Sequence, residues 1–261
     1  MELSFRRVSK ASPCPQCGKP DWCTVGDYGV VCMRVQSGRP VKNGGWFHPF
    51  DAAPGRPVPP PARQQPPGIN ATAMHRAWLA HTSPAALAEL AASLGVSARS
   101  LVAVGAAWAA SYAAWAFPMC DGYGNVVGIR LRNERGKFAV RGSRQGIFLA
   151  AVPAQTTVFV CEGPTDTAAG LDVGLFAVGR PNCCCGGLEI RVYARRHQCA
   201  GAVIVSDNDR PGLEGARRVG GELLLPYAIY VPPAKDLREF VRLGGTRAMI
   251  ETTLKGTVWN R

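Results

Sequence analysis

The clearest hydrophobic pattern lies in the carboxyl-terminal half, where short apolar runs alternate with amphipathic stretches. Runs at 157–162, 175–178, 202–206 and 227–231 are rich in Val, Ile, Phe and Tyr and predict β-strands. Between them, stretches near 165–172, 188–197, 212–224 and 236–243 predict helices, and a short terminal helix is expected beyond Gly244. Alternation of this kind implies a parallel sheet covered by its crossover helices. Upstream, 117–150 has β character. Asp121-Gly122 to Gly124-Asn125 predicts a hairpin turn, and the alternation in VVGIRLR puts Arg130 and Arg132 on one face, with Lys137, Arg141 and Arg144 adding charge. Residues 70–116 are alanine-rich and predict helix. Ser83 before Pro84 is an N-cap and Gly95 a stop; Ser97 opens a second helix through Leu101 and Val102. That segment predicts packing rather than chemistry, with His75 and His81 facing solvent.

Polar residues end the apolar runs in a telling way. TVFVCE stops at Glu162, turns through Gly163 and Pro164, and reaches Asp166 as a helix begins. AVIVSDND ends in Asp207 and Asp209, and YAIYVPPAKD ends in Asp236. Five of the chain's 18 acids therefore fall at three strand ends, the edge of an open α/β sheet where ligands bind. Two carboxylates about 4 Å apart repel by roughly 4 kcal/mol at an effective dielectric near 20. A hard cation is therefore expected among Glu162, Asp207, Asp209 and Asp236; oxygen ligands without histidine favour Mg²⁺ or Mn²⁺. Metal-assisted phosphoryl transfer is the leading chemistry. The bland alternative is that these acids cap helices or bind solvent. Arg210 contacts phosphate or pairs with the acids.

EGPTD followed by DND-R-PG resembles the Toprim domain, whose signature is a strand-end Glu-Gly, an Asp shortly after, and Asp-x-Asp at a later strand end. Toprim domains occur in DnaG-type primases, topoisomerases, RecR-like proteins and some nucleases. The phrase FPMCDGYGNVVGIRLR resembles the amino-terminal half of the primase catalytic core, a feature the other groups lack. The resemblance implies that Glu162 helps activate an attacking 3′-hydroxyl or binds a metal, with Asp166 supporting it.

Composition narrows the partners. The net charge of +12 over 261 residues points to a polyanion, nucleic acid before membrane. No apolar stretch reaches the roughly 18 residues of a membrane span, and Met1 to Lys10 is too polar for a signal peptide, so the chain reads as cytoplasmic. Ten cysteines then indicate metal and thiols rather than disulfides. Cys14, Cys17, Cys23 and Cys32, spaced C-x2-C-x5-C-x8-C, predict a zinc ribbon over 1–50, with His48 an alternative to Cys23 as fourth ligand. Arg34, Arg39, Lys42, Trp46 and Phe47 suit single-stranded nucleic acid, whereas Trp22, and Trp46 in the blander reading, pad a tiny core. This segment resembles the zinc-binding domain of DnaG-type primases, although its cysteine spacing departs from their commonest form. Residues 51–69, with seven prolines, predict a semi-rigid linker. Cys183, Cys184 and Cys185 are expected in loop packing; Cys161 is a buried strand residue.

The expected organisation is thus a β-rich zinc ribbon (1–50), the linker (51–69), a helical then basic β subdomain (70–150), and a Toprim-type parallel α/β sheet with a terminal helix (151–261). The resemblance implies a DNA primase of the stand-alone or mobile-element kind, using one structural Zn²⁺ and catalytic Mg²⁺ or Mn²⁺. It would join ribonucleoside triphosphates on a single-stranded DNA template. No G-x-x-x-x-G-K-[ST] loop is present, so a replicative helicase would act in trans. A Toprim nuclease and a non-catalytic nucleic-acid-binding regulator of replication are the alternatives.

Overall fold

The computed structural model describes residues 5–42, 44–50 and 68–260. Most of the expected linker therefore lies outside the described residues. The chain divides into two compact units, 1–64 and 65–261.

The first unit is a four-stranded antiparallel sheet of β1 (Arg6–Arg7), β2 (Thr24–Gly26), β3 (Gly29–Cys32) and β4 (Trp46–Pro49), in that order. Its apolar core is little more than Val8, Val30 and the buried cysteines. So little apolar area cannot order a segment of this length without a further constraint. Trp22 is not part of that core. It is 78% exposed, and the Arg34 guanidinium lies 5.3 Å from its ring centroid. The padding role expected of Trp22 is overturned because Asp21 holds Arg34 at 2.6 Å, which keeps that stacked pair on the surface.

The second unit opens with α1 (Ala71–Ala80), α2 (Pro84–Leu94) and α3 (Ala98–Ala103). Ser83 and Ser97 accept from the backbone at Ala86 and Ser100, and Gly95 ends α2 in the left-handed conformation. The helical expectation fails beyond Val104. Strands β5 (Ala107–Ala109) and β6 (Ala114–Cys120) form a hairpin instead, joined by a 3-10 turn at Ala110–Tyr112. Ala107, Ala109, Ala114 and Ala116 are fully buried, and Trp108 packs edge-on against its cross-strand partner Trp115. Intrinsic helix propensity is a weak preference even for alanine, so packing against α1 overrides it. Nor does His75 face solvent: its Nε2 lies 2.7 Å from the Gly105 carbonyl, while His81 is exposed. Strands β7 (Val126–Asn133) and β8 (Gly136–Ala139) complete this antiparallel sheet.

A second sheet follows from β9 (Thr157–Glu162), α4 (Gly163–Asp172), β10 (Ala177–Arg180), α5 (Gly187–Arg196), β11 (Gly201–Val205), α6 (Arg210–Leu223) and β12 (Tyr227–Tyr230). Helices α7 (Leu237–Arg242) and α8 (Arg247–Leu254) end the chain. The strands run parallel in the order β10-β9-β11-β12. Side chains alternate between two cores. Val158, Val160 and Ile204 pack with Ile190, Val219 and Leu223, while Phe159, Val203 and Val205 pack with Leu237, Phe240 and Ile250. Burial on both faces explains why these strands read as continuous apolar runs. The whole is a mixed α/β chain: a β-rich cysteine-bearing unit, then helices and strands leading into a four-stranded parallel sheet.

Candidate functional site

Two sites emerge, one in each unit. In the first, the Sγ atoms of Cys14, Cys17, Cys23 and Cys32 all lie within 4.8 Å of one another. Gly18, at φ +69°, turns the chain so that its amide reaches the Cys14 carbonyl at 2.8 Å. The Met33 amide donates to Cys23 Sγ at 3.4 Å and the Val35 amide to Cys32 Sγ at 3.3 Å. Four thiols so close cannot all ionise without a cation, because the thiolates would repel one another. Burial opposes ionisation of Cys17, but the Lys19 amide and the other thiols hold its pKa down at about 6. Burial first, then its thiol neighbours, push Cys23 up to about 12. A divalent cation of borderline softness offsets that repulsion, and the four residues fit one zinc ion. His48 is not in this group; its Nε2 lies 3.0 Å from the Val35 carbonyl.

The second site lies at the carboxyl ends of the parallel strands. Glu162 ends β9, and the turn after it uses Gly163 at φ +81°, a conformation that excludes most side chains. That turn starts α4 at once, so Asp166 falls in its first turn and is buried. Asp207 follows β11, and Asp236 follows β12 as the N-cap of α7, accepting from the Glu239 amide at 2.7 Å. The Arg238 amide donates to Asp166 Oδ1 at 3.1 Å, which ties α4 to α7.

These four acids feel one another. Asp166 is pushed up to about 7, by burial first and then by the charges of Asp236 and Asp207. Asp207 rises to about 6, again by burial first, then by Glu162 and Asp236. Glu162 Oε2 is buried without a hydrogen-bond donor. The cluster is nevertheless looser than the cysteine site: among the described residues, only the cysteines bring three or more ligand atoms within 4.8 Å of one another. Asp209 sits at its margin, exposed, with Oδ1 accepting from the Gly212 amide at 2.7 Å as the N-cap of α6. A buried carboxylate oxygen lacking a donor, beside acids that burial discourages from ionising, fits a hard divalent cation.

The cationic residues divide sharply. Arg132 points from β7 into the cluster: its Nη1 donates to Thr165 Oγ1 at 3.2 Å, and its charge acts on Asp166 and Asp236. Arg130 is half-buried on the same strand, its Nε lacking an acceptor. Lys137, Arg141 and Arg144 are exposed on or after β8. Arg210 leaves the acids altogether and pairs with Glu214 at 2.7 Å, its side chain 89% exposed. Two further arginines, which no motif in the sequence marks, lie at the acids. Arg238 lies 3.8 Å from Asp236, and Arg180, fully buried at the end of β10, lies 3.6 Å from Glu162 Oε2. An arginine closing the apolar run AVGR was the available signal. Cys183, Cys184 and Cys185 form the half-buried loop after it, with Cys184 Sγ 3.9 Å from Cys185 Sγ.

No family model and no curated relative matches the chain. Solved structures do. A DnaG primase catalytic domain bound to ssDNA aligns over 72% of this chain and 80% of its own, at 15% identity and a TM-score of 0.57. The zinc-binding and RNA polymerase domains of the Aquifex aeolicus primase align over 72% of this chain and 60% of theirs, at 12% identity and a TM-score of 0.59. The primase fragment of the bacteriophage T7 primase-helicase aligns over 95% of this chain and 99% of its own, at 16% identity and a TM-score of 0.51. In fold, the chain is similar to DnaG-type and T7 primase domains.

Proposed function

We propose that the chain is a DNA primase, joining ribonucleoside triphosphates on a single-stranded DNA template by divalent-cation-dependent nucleotidyl transfer. The observation that carries this reading is the gathering of Glu162, Asp166, Asp207 and Asp236 at the carboxyl edge of the parallel sheet, in a fold similar to primase catalytic domains.

Glu162 and Asp207 would hold Mg²⁺ or Mn²⁺, with Asp236 beside them; Asp209 contributes from the rim. When bound, the cation would neutralise the triphosphate and lower the barrier to displacement of pyrophosphate. Asp166 has a different part. It accepts from the α7 backbone, and its raised pKa suits a buried carboxyl that steadies the start of α7 rather than one that holds the cation. Arg132, braced on Thr165, would meet the nucleotide's phosphates, and Arg130, Lys137 and Arg141 extend positive charge along β7 and β8 for a template backbone. Arg210 would contribute only to the general field. The ribbon would bind one structural zinc and offer exposed Trp22 and Arg34 to unpaired bases and phosphates. A replicative helicase supplied in trans completes the proposal.

The test is direct. The full chain is incubated with short defined single-stranded templates, labelled NTPs and Mg²⁺ or Mn²⁺. Template-dependent oligoribonucleotides are expected, lost in Asp207→Asn. Degraded template without new oligoribonucleotides would establish a nuclease, and binding without either product a regulator.

A further inference from the structure

Arg180 occupies an unusual position for a cation. It is the last residue of β10, and its Cα partner across the parallel ladder is Glu162. The side chain is wholly removed from solvent. Its Nη1 donates to the Cys183 carbonyl and its Nη2 to the Val205 carbonyl at 3.0 Å. The same Nη2 lies 3.6 Å from Glu162 Oε2, the oxygen that receives no hydrogen bond.

The guanidinium is therefore held by two neutral carbonyls, from the loop after β10 and the end of β11, and not by the carboxylate it faces. A guanidinium is a fixed positive charge. It cannot swing away cheaply, because it would give up both bonds, the one to Val205 in a buried setting. A buried cation needs compensating charge, and the Glu162 carboxylate faces it at 3.6 Å. A divalent cation at those two carboxylates would meet a fixed positive charge beside one of its ligands. Arg180 thus offsets part of the negative charge that would hold a free cation, and a polyphosphate arriving with the cation would restore it.

Resting on the reading of Glu162 and Asp207 as cation ligands, we propose that Arg180 is a built-in countercharge that makes the site weak for a free divalent cation and strong for one arriving with a nucleoside triphosphate. Arg180 is then a positioning residue. It steadies Glu162 in the cation-free protein and couples cation loading to substrate.

Mn²⁺ retained by the full chain in equilibrium dialysis, with and without ATP and with no template present, tests this. Wild type is expected to retain Mn²⁺ weakly alone and at least about tenfold more tightly with ATP. Arg180→Gln should bind Mn²⁺ alone about tenfold or more tighter than wild type, since removing a unit charge this near a buried site has an effect of that order. Arg180→Lys, which keeps the charge, should stay weak. Unchanged or weaker binding of Mn²⁺ alone in a folded Arg180→Gln protein would overturn the proposal. If that variant does not fold, wild-type protein decides: equal affinity for Mn²⁺ with and without ATP would overturn it. Glu162→Gln should abolish retention in both conditions, and if it does not, the retained ion lies elsewhere and the proposal fails. Because no template is present, a protein that behaves this way yet makes no oligoribonucleotides would sink the primase reading alone.

Discussion

The cysteine site and the acid site solve the same electrostatic problem in opposite ways. The cysteines come from one 19-residue stretch, turn by turn, and bring four Sγ atoms within 4.8 Å of one another. Their unit has almost no other core, so the cation they fit would be part of its fold. The acids come from strand ends 29 to 74 residues apart in sequence, on a sheet whose faces are already packed by two apolar cores. Arg180, Arg238 and Arg132 accompany four carboxylates there. A thiolate cage that the fold depends on must be complete, whereas an acid cluster on a finished scaffold can stay open and partly compensated, ready for a ligand to come and go.

The sharpest way to break that contrast is to remove ligands from each site. Chelation, or Cys23→Ser, should release one zinc per chain. A structural zinc site contributes on the order of 10 kcal/mol, so hydrogen-exchange protection should collapse across 5–50 and persist in 68–260. His48→Ala should retain the metal. Protection of 5–50 surviving chelation would show that the thiols are not structural.

Asp207→Asn should do the reverse. Primer synthesis should fall on the order of 10²–10³-fold. The melting temperature of the cation-free protein at pH 8 should rise, because the variant removes a charge that burial and Glu162 disfavour. A variant that loses both stability and activity would make the acids structural, like the cysteines.

Arg132→Ala sharpens the comparison from the cationic side. It removes the contact to Thr165 and a charge facing Asp166 and Asp236, and should lower primer synthesis about tenfold without changing zinc content. Unaltered kinetics would confine Arg132 to packing.

The acids should also write their presence on the pH dependence of stability. Asp166 at about 7 and Asp207 at about 6 lie above the roughly 3.9 of an unfolded aspartate. Between those values the native protein holds protons that the unfolded chain has lost, so stability falls as pH rises through that window and stays lower above it. Thermal melts without divalent cation should be several degrees lower at pH 8 than at pH 5, with Mg²⁺ restoring more at pH 8. A melting temperature rising over that range would contradict the cluster's electrostatics.

The smallest effect should be at Arg210. Its exposed pair with Glu214 is of a kind that contributes little, and Arg210→Ala should change primer synthesis by less than about twofold. A larger loss would mean that Arg210 leaves Glu214 when nucleotide binds.

Much of this architecture was readable along the chain because its signals are local. Ser83, Gly95 and Ser97 mark helix ends through bonds to residues three or four positions away, and the cysteine spacing needs only two turns to close. The acids at and after the ends of β9, β11 and β12 were visible for the same reason: an apolar run and the polar residues that follow it are neighbours in sequence. The alanine-rich 106–116 stretch differs from its helical pattern, since even alanine's helix preference is too small to resist pairing with a partner strand.

By itself, then, the sequence determined the cysteine cage, the parallel α/β sheet and the line of acids along its edge. Tertiary structure alone decided which cations answer those acids. It turned Arg210 outward and Arg132 inward, and it set Arg180 beside Glu162 through the β9–β10 register. The physical reason is that a charge's effect depends on its burial and its distance from others, and both are fixed only when strands far apart in the chain have paired.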